Sequence, residues 1–389
     1  MNGKTEVWQR RNPATGRGQI SRGRLAAIAL AVSFSAYIIS SLQPVFENPG
    51  LRLLIDSLRV LGLLVVLLVY LKYVKINLLF LGLAALAVAG VVVARDVFFA
   101  QLVVGLLFAR LLFKAGFESL VGRALEVSLL FLCVIVAGVK FGYIDSKVGI
   151  NPLAATSTAF VVEKKEYWGF WQPNIISMLV SGCLIAAFYL GRSRLYWVAM
   201  LVYLMVLTGT VSRTFLVVPV LTLLFIWIDQ AGLSKRPAVL GGLLLGALSA
   251  CFMSVLFVFP NALRSIVGQA VYHNLDNILS YRLVIAERIM HPLTPFELLT
   301  GWHDKKAEVD SFFINFALSQ GVLIYLVLVG YLGYVSVQAF KQKKSRELMV
   351  LLLFLVVANF EKISGISSLF YLCSCCCLFC VMSRRSTAY

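Results

Sequence analysis

Charged residues and histidines are scarce in this chain. Only 14% of its 389 residues are Asp, Glu, Lys or Arg, and it has three histidines, whereas about 25% of the residues in a typical soluble domain are charged. Acidic residues are the rarer sign, 18 against 35 basic ones. No Walker loop, dinucleotide fingerprint or internal repeat occurs in the sequence, which argues against ATP-driven transport by this chain alone. With 60% hydrophobic residues, the composition excludes an ordinary soluble globular protein.

Apolar runs of about 17 to 25 residues dominate the chain, and this is the length that crosses a bilayer. We therefore predict an all-α polytopic membrane protein with about twelve transmembrane helices. The first run follows a basic tail, residues 1–24, and has no convincing small-residue cleavage site, so we expect a retained span and not a signal peptide. The predicted spans are approximately 25–42, 53–71, 76–94, 97–113, 124–143, 174–190, 195–211, 214–230, 237–258, 310–334, 348–360 and 368–382.

Basic residues fall at alternate connectors, which is the pattern of cytoplasmic loops. The charge excess of +17 therefore sets topology and argues against a nucleic-acid partner. It predicts that both termini are cytoplasmic. The basic residues on the predicted inner side are Lys4, Arg10, Arg11, Arg17, Arg22, Arg24, Lys72, Lys75, Arg110, Lys114, Arg123, Arg192, Arg194, Lys235, Arg236, Lys341, Lys343, Lys344, Arg346, Arg384 and Arg385. The acids there are Glu6, Glu118, Glu126, Asp229 and Glu347.

The eight cysteines do not form the spacing of a disulfide framework or a zinc site. Five of them crowd residues 373–380, where successive side chains of a helix point about 100° apart. We expect soft apolar packing and no metal or other cofactor.

Two connectors on the predicted outer side are longer than turns, at about 144–173 and 259–309. All three histidines lie in the second, and apolar residues at Ile278, Leu279, Leu283, Ile285, Ala286 and Ile289 predict a short amphipathic helix over 278–290. The remaining segment, 310–389, is predicted to hold the last three spans and a short tail. Function concentrates on loops carried by a rigid scaffold, so the working face is expected outside the cytoplasm.

Arg213 is the charged residue of the hairpin Thr208-Gly-Thr-Val-Ser-Arg-Thr. An ionised side chain at membrane depth costs about 2.5–3.5 kcal/mol on insertion scales and usually has a partner or a function. A planar guanidinium suits phosphate oxygens. The alternative is an interfacial arginine whose side chain reaches lipid headgroups.

Arg282 and Arg288 lie on the predicted loop helix, with Glu287 beside them, and form either an anion-binding face or a solvated face with a local ion pair. His303 and Asp310 are candidates for a general base. Asp310 is equally interpreted as an N-cap or first-turn acid of the next span, and a single loop histidine is often structural.

Trp168 and Trp171 precede Gln172-Pro-Asn174 in the first long connector. Aromatic residues at this depth form interfacial belts or stack on sugar rings. Glu361 and Lys362 close the eleventh predicted span, where a simple helix cap and ion pair would explain them.

Four short elements occur in a definite order along the chain. They are Gly169-Phe-Trp-Gln-Pro-Asn, Val211-Ser-Arg-Thr, Tyr281-Arg282 followed by Leu298-Leu-Thr-Gly-Trp, and Asp310-Ser-Phe-Phe-Ile followed by Ser319-Gln-Gly-Val-Leu. Together they resemble the O-antigen polymerase and ligase superfamily of bacterial envelope glycan assembly. The resemblance covers about residues 165–335; before that only the hydropathy agrees.

The resemblance implies a Wzy-type polymerase of the bacterial inner membrane with a GT-C-like helical fold and a large periplasmic loop. Such proteins join repeat units carried on undecaprenyl diphosphate, without metal or nucleotide sugar, and some work with a chain-length regulator protein. By position, Arg213 and Arg282 would bind the diphosphate. Ligases of the superfamily usually have His-Asn where this chain has Asp310-Ser311, which favours a polymerase.

Two other functions remain open. A lipid-oligosaccharide flippase or other transporter also fits about twelve spans, but here the connector after the sixth span is short and few charges lie in mid-span. A ligase shares the donor chemistry and differs only in the acceptor.

Overall fold

The computed structural model describes residues 17–71, 85, 105–106, 108–110, 112, 117–150, 164–209, 213–278, 282–301, 311–361 and 369–382. Within these ranges the chain is almost entirely helical, as predicted. The predicted spans 76–94 and 97–113 lie largely outside the described residues. Everything stated about the structure below concerns the described ranges.

The helices of the described residues are labelled α1 to α16 in chain order. They are α1 Arg17–Ser40, α2 Gln43–Phe46, α3 Pro49–Leu71, α4 Phe117–Lys140, α5 Pro173–Tyr189, α6 Ser193–Leu207, α7 Arg213–Gln230, α8 Pro237–Val258, α9 Pro260–Val267, α10 Gln269–Ile278, α11 Arg282–Met290, α12 Pro295–Thr300, α13 Phe312–Gln320, α14 Val322–Lys341, α15 Ser345–Phe360 and α16 Leu369–Met382. A 3-10 turn covers Leu233–Lys235. Two short strands, β1 Val148–Ile150 and β2 Lys164–Glu166, pair antiparallel with Val148 opposite Glu166.

Three of these helices are long and apolar enough to cross a membrane: Glu118–Lys140, Pro237–Val258 and Val322–Lys341. Five shorter apolar segments accompany them: Arg24–Ser40, Asn174–Tyr189, Ser193–Leu207, Leu216–Gln230 and Cys373–Met382. One cluster of buried side chains runs through α1, α4 to α8 and α13 to α16. The helical membrane class inferred from hydropathy is supported at this level.

One predicted transmembrane span is not a single continuous helix. The segment predicted as a continuous helix over 310–334 is two helices, α13 and α14, separated at Gly321, whose φ of 85° and ψ of 153° fall in a region that only glycine adopts readily. The apolar periodicity continues across this point, so hydropathy could not detect the interruption.

Ion pairs join the connectors that carry the basic residues. Arg192 contacts Glu126 at 2.5 Å, and Arg346 contacts Asp229 at 2.6 Å. These contacts bring the connector between α5 and α6 to α4, and the start of α15 to the end of α7. We call this side of the bundle, with connectors 190–192, 231–236 and 342–344, the basic end.

The opposite side carries the two long connectors, and we call it the loop end. The side-chain amide of Asn359, near the end of α15, donates to the carbonyl oxygen of Ala250 in α8 at 3.1 Å. The N–H of Phe312 donates to the carbonyl oxygen of Glu361 at 3.2 Å. The end of α15 therefore lies beside α8 at Ala250 and meets the start of α13. The starts of α5 and α7 lie on the same side of the bundle through their hairpin connections.

Candidate functional site

The described part of the large loop, 259–278 and 282–301, is helical and packed, not extended. It contains helices α9 to α12. The predicted amphipathic helix is present as α11, which starts at Arg282 and ends before Pro292. Leu283 and Ala286 form its buried face, so α11 lies against the rest of the protein through the apolar side predicted from the sequence.

Arg282 makes an ion pair with Glu361, 79 residues later. Its Nη2 lies 3.1 Å from Oε1 of Glu361, and the two side chains are only 14% and 9% exposed. A pair with little access to water is screened weakly by salt. This contact fixes the start of the loop helix α11 to the end of α15.

A second carboxylate holds the backbone of the same helix. Asp276, 2% exposed, accepts the N–H groups of Leu283 at 2.9 Å and Val284 at 3.3 Å. The first turn of a helix leaves these donors without intrahelical partners, and a negative charge is favourable there. Burial nevertheless raises the pKa of Asp276, while the two N–H groups and His273 act in the opposite direction. Asp276 thus fixes the backbone of the two residues after Arg282. Glu361 binds the Arg282 side chain.

Glu287 pairs with neither of the arginines beside it in α11. It accepts from Arg264 Nη2 of α9, and the Tyr272 hydroxyl lies 3.4 Å from the same Oε2. The Arg264 guanidinium also lies over the Tyr272 ring, 4.6 Å from its centroid. Glu287 therefore bonds to Arg264 of another loop helix, instead of forming the local ion pair that the sequence suggested with the arginines of α11. Arg288 is exposed.

The end of the large loop meets the interruption between α13 and α14. Gly301 has φ 96° and ψ 151°, the same glycine-only region as Gly321. A β-carbon on Gly301 would lie 2.5 Å from the carbonyl oxygen of Ser319 and 2.9 Å from the nitrogen of Gly321. Two of the four sequence elements, Leu298-Leu-Thr-Gly and Ser319-Gln-Gly, are therefore in backbone contact.

Ser311, and not Asp310, is the N-cap of α13. The Ser311 hydroxyl accepts the N–H of Ile314 at 3.4 Å, and its carbonyl accepts from the Asn315 side chain at 3.0 Å. Asp310 precedes this cap, so its interpretation as the cap is wrong. Asp310 and His303 themselves fall in 302–310, outside the described residues.

The first long connector packs tightly on its neighbours. Trp168 is fully buried with φ 50°, and the Lys140 ammonium lies 4.7 Å from its ring centroid. Trp171 is partly exposed and stacks on Phe46 at 4.5 Å. Of these two aromatic candidates, only Trp171 retains exposed surface.

Gln172 and Asn174 flank the start of α5. Gln172 is exposed and occupies the N-cap position without a side-chain cap bond. Asn174 lies in the first turn, and its Oδ1 is buried with no hydrogen-bond partner among the described residues. An unsatisfied buried oxygen costs about 1–3 kcal/mol, which makes Asn174 a candidate for binding a donor group of a ligand.

Arg213 begins α7, close to this connector in the fold. The N–H of Glu166 donates to the carbonyl oxygen of Gly209 at 2.9 Å, and a β-carbon on Gly209 would lie 2.1 Å from Glu166 Oε2. Residues 210–212 and the side chain of Arg213 lie outside the described part. The Gly169-to-Asn174 element and the arginine hairpin therefore share one side of the loop end.

Glu361 and Asp276 are the functional candidates that sequence reasoning missed or left undecided. Glu361 was interpreted, together with Lys362, as a helix cap and a local ion pair, and Asp276 was not considered. An acid at the end of an apolar helix and another inside an amphipathic loop helix were the available signals. Neither signal identifies a partner at long range.

Among the described residues, no group of three or more His, Cys, Asp or Glu side chains is arranged to hold a metal ion. The arrangement offers guanidinium and amide groups at the loop end instead, which bind anions and polar oxygens. Comparison with protein-family models, with curated proteins and with solved structures finds no match for this chain.

Proposed function

We propose that this protein is an inner-membrane polymerase. It joins oligosaccharide repeat units linked to undecaprenyl diphosphate into a surface polysaccharide. The observation that carries the proposal is the gathering at the loop end of Arg282, Gly301 and Ser311–Gly321. These belong to two of the four sequence elements, and the resemblance of those elements to the glycan polymerase and ligase superfamily motivated the interpretation.

The number of spans, their arrangement and their orientation in the membrane are part of the same proposal. Twelve spans, a GT-C-like arrangement and cytoplasmic termini would place the loop end in the periplasm. In support, the basic end contains the connectors rich in Lys and Arg, as the positive-inside rule expects of the cytoplasmic side. Lipid-linked repeat units would then reach the loop end from the outer half of the bilayer.

An apolar cavity supports a substrate with a lipid tail. It has a volume of about 470 Å³, lies between α1, α3 and α4, and is lined by residues such as Ala31, Ser35, Ile55 and Val127. Ile39 lines it too, two residues before Ser41, whose carbonyl accepts the N–H of Trp171 at 3.3 Å. One lining residue of the cavity, Ile39, therefore lies near the first long connector.

The chemistry would proceed by one glycosyl transfer. The anomeric carbon–oxygen bond to diphosphate breaks, the diphosphate leaves with the electron pair, and a hydroxyl oxygen of the second repeat unit bonds to that carbon. Arg213 and Arg282 would stabilise the charge developing on the diphosphate. Loss of one such donor typically costs about 2.7–4 kcal/mol of barrier. Asp310 or His303 would take the hydroxyl proton.

The test is a reaction of the purified protein in nanodiscs with its lipid-linked repeat unit alone. Nucleotide sugar is omitted and EDTA is present. The proposal expects a ladder of repeat multiples. Two further reactions distinguish the alternatives when no ladder forms. Transfer to an added lipid A core or protein acceptor would indicate a ligase, and movement of the lipid across sealed vesicles containing the protein would indicate a flippase. Either result would refute the polymerase.

A further inference from the structure

Glu361 connects three elements of the loop end. Its N–H donates to the carbonyl oxygen of Val357 at 2.8 Å, which ties it to α15. Its carbonyl accepts the N–H of Phe312, the first residue of α13, at 3.2 Å. Its carboxylate accepts from Arg282. The backbone of Glu361 is therefore fixed relative to the bundle before its side chain reaches the loop.

The bond to Glu361 uses only part of the Arg282 guanidinium. Nη2 lies 3.1 Å from one carboxylate oxygen, whereas a guanidinium has five N–H donors in a rigid plane. One contact of this kind fixes the direction of the plane and leaves other donors for a ligand. The 14% exposure of the Arg282 side chain keeps part of it within reach of solvent.

Asp276 completes the constraint on the same residue. It binds the N–H groups of Leu283 and Val284, directly after Arg282, so the backbone from which the guanidinium extends is also held. Only the side-chain torsions of Arg282 remain to be set. Glu361 is the group that sets them.

We infer that Glu361 is a positioning residue, which orients the Arg282 guanidinium toward the diphosphate of the lipid-linked donor. The inference rests on the proposed function for the identity of the anion. A misplacement of about 1 Å in such a group lowers turnover by about a hundredfold. A residue that only stabilised the loop would act through folding, and one that only competed with the diphosphate would slow its binding.

The test compares four variants in nanodiscs with wild type. Glu361→Gln removes the charge at nearly constant size, and Glu361→Asp keeps the charge but shortens the side chain. Arg282→Ala removes the positioned group. Glu287→Gln is the matched control, because it weakens another ion pair of the same loop, with Arg264, that does not reach α13 or α15.

Four quantities are measured for each variant. They are the unfolding midpoint, kcat and KM for the lipid-linked repeat unit, and the ³¹P resonance of bound farnesyl diphosphate. We expect both Glu361 variants to lose at least tenfold in kcat. KM of Glu361→Gln should not rise, because a negative charge beside the anion has gone. The bound ³¹P resonance should move in both variants and stay at its wild-type position in Glu287→Gln.

Three results with the Glu361 and Glu287 variants would overturn the inference. Wild-type kcat and an unmoved resonance in folded Glu361 variants would show that Glu361 does not orient Arg282. Tighter probe binding with undiminished turnover in Glu361→Gln would show a competing carboxylate. An equal loss of kcat and an equal resonance shift in Glu287→Gln would show an effect of loop stability. If Glu361→Gln does not fold, Glu361→Asp decides the comparison.

The probe separates this inference from the proposed function. Without a polymer ladder, binding of farnesyl diphosphate that is at least tenfold weaker in Arg282→Ala, with a moved resonance in the Glu361 variants, would support positioning and refute the polymerase alone. Equal probe binding in wild type and Arg282→Ala would overturn the inference, because Arg282 would then not contact the anion.

Discussion

Gly301 and Gly321 lie backbone against backbone, and neither leaves space for a side chain. A β-carbon on Gly321 would lie 2.1 Å from the carbonyl oxygen of Leu299, and one on Gly301 would lie 2.5 Å from the carbonyl oxygen of Ser319. The C-terminal end of α12 thus lies against the interruption between α13 and α14.

Alanine at either glycine should therefore destabilise the protein. The backbone strain alone costs on the order of 1–3 kcal/mol, and the clash with a carbonyl oxygen adds to it. Gly330→Ala is the matched control, because nothing lies within 4 Å of its β-carbon position in α14 and a mid-helix alanine is favoured by up to about 1 kcal/mol. Unfolding in detergent measures the three free energies. Equal stability of Gly321→Ala and Gly330→Ala would contradict the contact.

The two kinds of ion pair should differ in their contribution to stability. Arg282→Ala breaks an ion pair whose side chains are only 14% and 9% exposed, and breaking a buried pair typically costs about 3–5 kcal/mol. Arg346 and Asp229 are 47% and 28% exposed, and such a pair contributes about 0–1 kcal/mol. We expect Arg282→Ala to lower the free energy of unfolding by several times more than Arg346→Ala. A double-mutant cycle on each pair measures the coupling, and equal couplings would argue against the buried pair.

Asp276 should make stability depend on pH with a defined sign. Because its pKa is raised in the folded state, the stability that its protonated form contributes is fully present below the unfolded pKa of about 3.9 and is lost as pH rises through the folded value. His273 and Glu287 act on it in opposite directions. Unfolding midpoints of wild type and Asp276→Asn between pH 3.5 and 7 should diverge as pH rises, in favour of the variant.

Asp276→Ala separates the cap from the charge. It leaves the N–H groups of Leu283 and Val284 without their acceptor, and loss of such a cap costs about 0.5–2 kcal/mol. Asparagine retains an acceptor oxygen. Alanine should therefore be less stable than asparagine at every pH, and the reverse order would refute the capping role.

Arg213→Ala should abolish the polymer ladder while the protein stays folded, if Arg213 binds the leaving diphosphate as proposed. Arg213→Lys keeps the charge but loses the planar fork, so we expect partial activity. Gel electrophoresis of the glycan products measures both. A normal ladder from folded Arg213→Ala would remove Arg213 from the mechanism.

The helical class and the apolar loop helix could be predicted from the sequence, because hydropathy and periodicity are local properties. α11 shows this best: the residues expected to be buried include Leu283 and Ala286, and both are buried. Short patterns in a definite order also selected the elements that hold Arg213, Arg282 and Gly301 as candidates, and their role in a site stays a prediction.

Only the tertiary structure decided which partners these residues have. Glu361 lies 79 residues from Arg282, Gly321 interrupts an apolar run of uniform character, and Glu287 bonds to Arg264 and not to the arginines beside it. Each of these contacts depends on how distant helices pack. The sequence by itself determined what the helices are and which groups could bind an anion, whereas packing determined how those groups are held, because orientation depends on contacts that local sequence does not encode.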